Sequence, residues 1–246
     1  MTFWFLIDPP TWGYQFTRRV LDIVVAAVGL LLSLPLLLLV SVVLLATDGS
    51  VFFRQMRIGK DGRPFTILKF RTMSTVSDPY ARKPTRNAPE ITPIGRYLRK
   101  TGLDELPQLW NVLTGSMSLV GPRPEMSFIV DEYDSLQRLR LNARPGVTGF
   151  WQISTVRMEP IHHHIEYDLF YLANRGLLFD LWIMLRTPLV LLAGRSITLD
   201  PGMAARWERP RRRPAAARQT EPIRFSVGEV TAAAEPAAAE GGGPIR

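Results

Sequence analysis

Two adjacent acids, Asp104 and Glu105 in TGLDELPQLWNVL, have the types and placing that could do chemistry in this chain. Paired acids ahead of a helical run have an ordinary use. An Asp caps the first turn, and both charges complement the helix dipole. The same physics serves a reaction: a carboxylate kept ionised at a helix N-terminus suits nucleophilic attack or a Mg²⁺ ion. Adjacent helical positions do not face one way, so the two acids are expected to differ in role.

Cations are scattered around this pair. Lys69 and Arg71 lie in KFRTM, Arg99 lies just upstream of the acids, and Arg123 stands between Pro122 and Pro124. Arg144 opens RPGVTGFWQ and Arg157 follows WQISTV. Proline restricts its neighbours' backbone, so Arg123 and Arg144 are held in defined directions. Fixed guanidinium groups near a carboxylate–Mg²⁺ pair suit phosphate or diphosphate binding. Surface salt bridges are the alternative reading of the same residues. The run His162-His163-His164 points its rings in different directions, which suits a structural or surface role better than a metal site. His162 and Glu166 have i,i+4 spacing, a hint of only two ligands. The chain has no cysteine, which excludes thiolate metal sites and a cysteine nucleophile. Walker, dinucleotide, serine-hydrolase and zincin motifs are absent as well.

The elements that must position these residues divide the 246-residue chain into unlike parts. Residues 1–16 form an N-terminal segment. Residues 23–46 carry no charge, and a helix of that length reaches about 36 Å, enough for a bilayer core of about 30 Å. Its length and the lack of a small-residue cleavage site argue against a removed signal peptide. Two readings compete: a single span, or a helix that enters, bends and leaves on one side. Pro35 removes a backbone hydrogen bond and predicts a kink, and the Ser33 hydroxyl is placed to take up a freed carbonyl. Arg18 and Arg19 before the run, and Arg54, Arg57, Lys60 and Arg63 after it, favour both ends on the cytoplasmic side. Asp22 has the spacing to pair with Arg18.

Beyond residue 48 the pattern predicts strands at 51–53 and 65–70 around a turn at 59–62, then a polar loop over 74–89. It predicts a helix over 92–101 started by Thr92-Pro93 and stopped by Gly102, and a second one capped by Asp104 and running to Leu113. Helical pieces are expected over 126–141 and 159–173. The apolar stretch 177–193 contains Asp180, Arg186 and Pro188 and reads as a helix on the membrane surface. Residues 201–246, rich in Ala, Pro, Arg and Gly, read as a disordered tail whose Arg211-Arg212-Arg213 run is solvated or touches anionic lipid. Thirty Lys and Arg against 22 Asp and Glu give a net charge of +8, compatible with nucleic acid, anionic lipid or phosphorylated substrates.

Six stretches in order resemble the bacterial sugar transferase family, the monotopic polyprenyl-phosphate phosphoglycosyl transferases. They are RRVLD at 18–22, the proline-bearing apolar run, FFRQMRIGKDGRPFTILKFRTM at 52–73, LDELPQLWNVLTGSMSLVGPRPE at 103–125, RPGVTGFWQ at 144–152, and YDLFYLAN with Asp180 beyond it. The resemblance covers about residues 17–195 and is to the short form of the family. It implies an α/β fold: a small membrane-associated catalytic domain, residues 48–200, on a re-entrant membrane helix, residues 17–47, broken at Ser33 and Pro35, with interfacial amphipathic helices.

The reaction implied is transfer of a sugar 1-phosphate from a UDP-sugar to a polyprenyl phosphate such as undecaprenyl phosphate. The products would be UMP and a polyprenyl diphosphosugar, the first membrane step of exopolysaccharide or other glycoconjugate assembly. By the resemblance Asp104 is the nucleophile, forming a covalent phosphosugar aspartate. Glu105 assists through Mg²⁺ or proton transfer, and both acids are candidate Mg²⁺ ligands. Arg123 with Pro122, Arg144, Arg99, Arg157, Lys69 and Arg71 become phosphate or nucleotide contacts. The implied location is the bacterial inner membrane, with the catalytic domain on the cytoplasmic face. Membrane lipid, downstream glycosyltransferases and a second copy of the chain are candidate partners, and nucleic acid is not expected.

The chain departs from the family pattern at Ser116, where an Asp is common, and in its His162–His164 run, which falls where a sugar-specific loop is expected. A catalytically inactive scaffold of the same fold is the alternative, and Ser116 is its sequence support.

Overall fold

The structure, a computed structural model, describes residues 2–5, 10–74, 90–200 and 223–226. Helix α1, Trp12–Asp48, starts at Thr11, whose hydroxyl accepts from the Tyr14 amide, and stops at Gly49 with φ 66°. Strands β2, Phe52–Ile58, and β3, Pro64–Phe70, form an antiparallel hairpin around a 3₁₀ turn at Lys60–Gly62. Then come α2, Pro93–Thr101; a 3₁₀ turn, Leu103–Glu105; α3, Gln108–Thr114; and β4, Ser118–Val120. Short helices α4, Ser127–Asp131, and α5, Ser135–Arg138, run into a 3₁₀ turn at Leu139–Asn142. Strand β5, Gly146–Thr148, pairs parallel with β4. Helices α6, Ile165–Asn174, and α7, Leu177–Ala193, follow. β1, Thr2–Phe5, pairs antiparallel with β6, Ile223–Ser226. The fold is thus mixed helix and sheet, with its described strands in three two-stranded sheets. The expected loop over 74–89 lies, apart from Ser74, outside the described residues, as does the expected tail apart from β6.

The main core joins α6 and α7 to β4 and β5. Phe150 stands at its centre, its ring 5.3 Å from those of Phe170 and Phe179 and 5.5 Å from that of Tyr167. Each such buried ring contributes about 1.5–3 kcal/mol relative to exposure. A smaller cluster packs Val40 and Leu44 of α1 on Phe70 and Leu98.

Helix α1 meets the domain in both its halves. Asp22 accepts from the Ser118 hydroxyl (2.6 Å) and the Leu119 amide (2.9 Å), satisfying buried groups of β4. Arg18 does not pair with Asp22 as its spacing suggested. Its ion pair is with Asp180 of α7 at 3.7 Å, and it donates to the Ser118 hydroxyl and the Val120 carbonyl. Arg19 caps the end of α3 through the carbonyls of Val112 and Leu113. Ala26 belongs to the main core, while Leu37, Val40 and Leu44 belong to the smaller cluster. Between these contacts one side of the helix is bare, with Leu31, Leu32, Leu38 and Leu39 exposed. The helical backbone runs through Pro35 without interruption. The Ser33 hydroxyl donates to the Gly29 carbonyl at 2.6 Å, not to that of Leu31, which is four residues before the proline. Such back-bonding bends a helix by drawing a carbonyl outward.

Other expectations change in detail. β2 runs five residues past the expected strand end. The 126–141 region is helical in two pieces, as expected, and closes on a 3₁₀ turn. α6 starts at Ile165, six residues later than the composition suggests, because Pro160 sets an extended residue before a separate 3₁₀ turn. α7 occupies the expected 177–193. It buries Phe179, Asp180, Ile183 and Val190 and exposes Leu178, Leu181, Leu185, Leu189 and Leu192.

Candidate active site

The acid pair sits in the short turn between α2 and α3. Helix α2 ends where Gly102 takes φ 74°, a conformation open to glycine at little cost. The chain then folds into the 3₁₀ turn that carries Asp104 and Glu105. Asp104 was expected to cap the next helix. The residue in the cap position of α3 is instead Pro107, and no side chain caps that helix. The turn detaches the acids from α3 and frees Asp104 from capping.

Asp104 is only 8% exposed, and no hydrogen bond among the described residues engages its carboxylate. Burial raises its pKa. Lys69, Arg99 and Arg123 pull it down and Glu105 pushes it further up, with burial prevailing. The cap position of α3, expected to favour the ionised form of this acid, is held by Pro107, and burial opposes that form. Glu105 goes the other way. Burial opposes its charge, but Lys69 and Arg123 outweigh burial and push the pKa down to about 2. Lys69 Nζ lies 2.5 Å from Glu105 Oε1, and Arg123 Nη1 lies 3.5 Å from the same oxygen. Two neighbours in sequence thus have pKa values moved in opposite directions, a pattern common at functional sites.

Each cation is delivered by a different element. Lys69 comes from β3, which is braced by Asn111 of α3: its side chain accepts from the Leu68 amide (3.0 Å) and donates to the Thr66 carbonyl (2.8 Å). Arg99 lies in the last turn of α2 and donates Nε to the buried Thr72 hydroxyl at 2.8 Å. α2 can approach Thr72 because of Gly95, where a Cβ would stand 2.1 Å from the Thr72 carbonyl oxygen. Arg123 comes from the loop after β4, where Pro122 offers its carbonyl to Gly146 at 3.0 Å.

The remaining candidates lie elsewhere. Arg144 is exposed, with Arg19, Arg18, Asp22 and Asp61 as its charged surroundings. Arg157 donates to the Val190 carbonyl of α7 at 3.3 Å. Arg71 bonds the Val51 carbonyl through its amide, and its buried Nε makes no hydrogen bond among the described residues. Ser116 donates to the Asn111 carbonyl at 3.1 Å, so it belongs to the brace behind β3. In the histidine run the partner of Glu166 is His164, not His162. His164 Nδ1 lies 3.4 Å from Glu166 and Nε2 lies 2.6 Å from Glu159. No group of three His, Asp or Glu able to hold a metal occurs among the described residues. Asp104 and Glu105 still fit Mg²⁺, a hard ion often held by one or two carboxylates together with substrate phosphates and water.

Sequence reasoning missed the support behind Arg123. Arg140, Asp168 and Tyr133 form a buried network whose guanidinium also holds the Arg123 carbonyl. One signal was available: Asp168 is a lone acid inside the apolar run YDLFYLAN, and a buried acid needs a partner.

Buried Asp104 and half-buried Glu105 thus lie among three cations, on a domain packed against a long apolar helix compatible with membrane association. The chain belongs to the bacterial sugar transferase family, whose profile matches residues 13–194. It is 39% identical over 193 residues to the UDP-glucose:undecaprenyl-phosphate glucose-1-phosphate transferase of Escherichia coli K12, covering 74% of this chain and 42% of that protein. A protein of the same name from Caulobacter vibrioides is 42% identical over 188 residues, covering 72% of this chain and 70% of the relative. The exopolysaccharide production protein ExoY of Rhizobium meliloti is 39% identical over 194 residues, with 72% and 86% covered. The chain thus spans about four tenths of the E. coli relative and most of ExoY.

Proposed function

We propose that this protein is a phosphoglycosyl transferase that moves a sugar 1-phosphate from a UDP-sugar to a polyprenyl phosphate. The observation that carries the reading is the Asp104 carboxylate, buried, unengaged by hydrogen bonds among the described residues, and under the charges of Lys69, Arg99 and Arg123. An Asp104 oxygen attacks the sugar-bearing phosphorus; the new O–P bond replaces the bond to the UMP oxygen, and UMP leaves. A polyprenyl phosphate oxygen then attacks the same phosphorus, releasing Asp104 and giving the polyprenyl diphosphosugar. Arg99 and Arg123 take the diphosphate oxygens, where developing charge needs fixed donors. Glu105, with its pKa near 2, is too weak a base for proton transfer at neutral pH and serves as a permanent anion that fixes Lys69 and Arg123. Mg²⁺ held by Asp104 and Glu105 would neutralise the diphosphate and favour the ionised form of Asp104.

A polyprenyl chain leaves a bilayer at a cost of about 0.8 kcal/mol per exposed CH₂, so the site belongs at the membrane surface. The contacts of α1 support a re-entrant placement. A straight helix from Asp22 to Leu44 would rise about 33 Å, the thickness of the bilayer core. Yet Asp22 and Leu44 both pack against the one domain. The exposed leucines of α7 suit a helix lying in the interface of the same leaflet. By this reading the domain faces the cytoplasm at the inner membrane and supplies an early lipid-linked step of exopolysaccharide or other glycoconjugate assembly.

The test is UMP release by detergent-purified protein with Mg²⁺ and a panel of UDP-sugars, UDP-glucose first. Release that depends on undecaprenyl phosphate and on one sugar is expected. Folded protein that releases no UMP with any donor would favour the inactive-scaffold reading.

A further inference from the structure

Arg140 and Asp168 are 3% and 1% exposed, and Tyr133 is 5% exposed. Arg140 Nε donates to Asp168 Oδ2 at 2.9 Å, Nη2 lies 2.7 Å from the same oxygen, and Nη1 donates to the Tyr133 hydroxyl at 2.5 Å. A remaining donor of Nη2 reaches the Arg123 carbonyl at 2.6 Å. A buried ion pair of this kind adds little stability over well-packed apolar residues, because desolvation offsets its attraction. What it supplies here is direction.

The segment Gly121–Glu125 contains two prolines, so it has few amide donors with which to anchor itself. Its start is tied to β5 by the Gly121 amide on the Thr148 carbonyl (2.9 Å) and its end to β2 by the Ile58 amide on the Glu125 carbonyl (2.9 Å). Between these ties, the Arg140 bond holds the carbonyl of Arg123 itself. Fixing that peptide plane fixes where the Arg123 side chain leaves the backbone.

We propose that Arg140, clamped by Asp168 and Tyr133, is the positioning residue for Arg123: it aims the Arg123 guanidinium at Glu105 and so at the substrate diphosphate. The inference rests on reading Arg123 as a diphosphate contact. Arg140 touches no reacting atom. It links α6 and the α4–α5 connection to the acid pair through one carbonyl.

The test uses the full chain in detergent or nanodiscs with Arg140→Lys, Tyr133→Phe, Arg123→Ala and the double variant Arg123→Ala/Arg140→Lys. UMP release and amide hydrogen exchange are both measured. Arg140→Lys should lower kcat/KM for the UDP-sugar by up to about 10²-fold, the scale of a 1 Å misplacement. Tyr133→Phe should give a smaller loss in the same direction. The double variant should be no slower than Arg123→Ala alone, whereas a merely structural defect would multiply with it. Exchange at the Gly146 and Ile58 amides, which donate to the Pro122 and Glu125 carbonyls on either side of Arg123, should quicken while the rest of the β2–β3 hairpin keeps its protection. Multiplying losses, or unchanged exchange at Gly146 and Ile58, would overturn the proposal. If Arg140→Lys loses protection everywhere, Tyr133→Phe carries the same comparison. If the wild type releases no UMP, the reaction is misassigned, and the exchange data still decide the role of Arg140.

Discussion

Lys69 Nζ lies 2.5 Å from Glu105 Oε1, and this contact separates the two acids of the site. It gives Glu105 a hydrogen-bonded cation, whereas Lys69 acts on Asp104 only through its charge and no hydrogen bond among the described residues engages the Asp104 carboxylate. The difference between neighbours is created by three elements meeting: β3, the turn after α2 and the loop after β4.

Replacing Lys69 exposes this dependence through acid stability. Glu105 has an ordinary pKa of 4.5 and is pushed down to about 2 in the fold. A depressed carboxyl binds its proton more weakly in the folded than in the unfolded chain. Its contribution is therefore full above about pH 4.5 and is lost as pH falls towards 2. Lys69→Met removes the nearest cation, so the acid-unfolding midpoint should move to higher pH. Tryptophan fluorescence against pH reads it, and an unmoved midpoint would contradict the assigned pairing.

Asp104 has the opposite sign. Its pKa is raised from 3.8, so stability falls as pH rises through the range between that value and the folded one. Asp104→Asn should leave the protein at least as stable as wild type at pH 7, while abolishing turnover. The gain should vanish below pH 3.8. Thermal unfolding at several pH values measures this. A variant clearly less stable than wild type at neutral pH would mean the carboxylate holds the fold rather than serving chemistry.

The placement of α1 can be read by labelling, and the absence of cysteine makes the background clean. Single cysteines at Thr11 and Ser50 flank the helix. In spheroplasts both should resist a membrane-impermeant maleimide added outside, and both should react once the membrane is opened. Reaction of only one from outside would mean a span and contradict the re-entrant reading.

Features written in adjacent residues were legible before any coordinates. Thr92-Pro93 starts α2 and Gly102 ends it, because caps and breakers act within one turn. The resemblance carried by LDELPQLWNVL and GPRPE pointed to the acids and to Arg123, which lies near them. Features made between distant residues were not legible. Arg18 has two acids of the right sign, and only the packing of α7 decides for Asp180 over Asp22. Asp104 reads as a helix cap until Pro107 is seen to hold that position. Arg144 and Arg157 look like Arg123 in sequence, since spacing says nothing about which loops converge.

The central claim is that Asp104 carries the sugar phosphate, and intact-mass analysis with peptide mapping tests it most directly. Protein incubated with Mg²⁺ and the accepted UDP-sugar, without lipid acceptor, should gain the mass of one sugar phosphate on the peptide containing Asp104. Undecaprenyl phosphate should discharge it, and Asp104→Asn should never acquire it. Acceptor-dependent UMP release by wild type with no adduct, together with turnover retained in Asp104→Asn, would contradict the account.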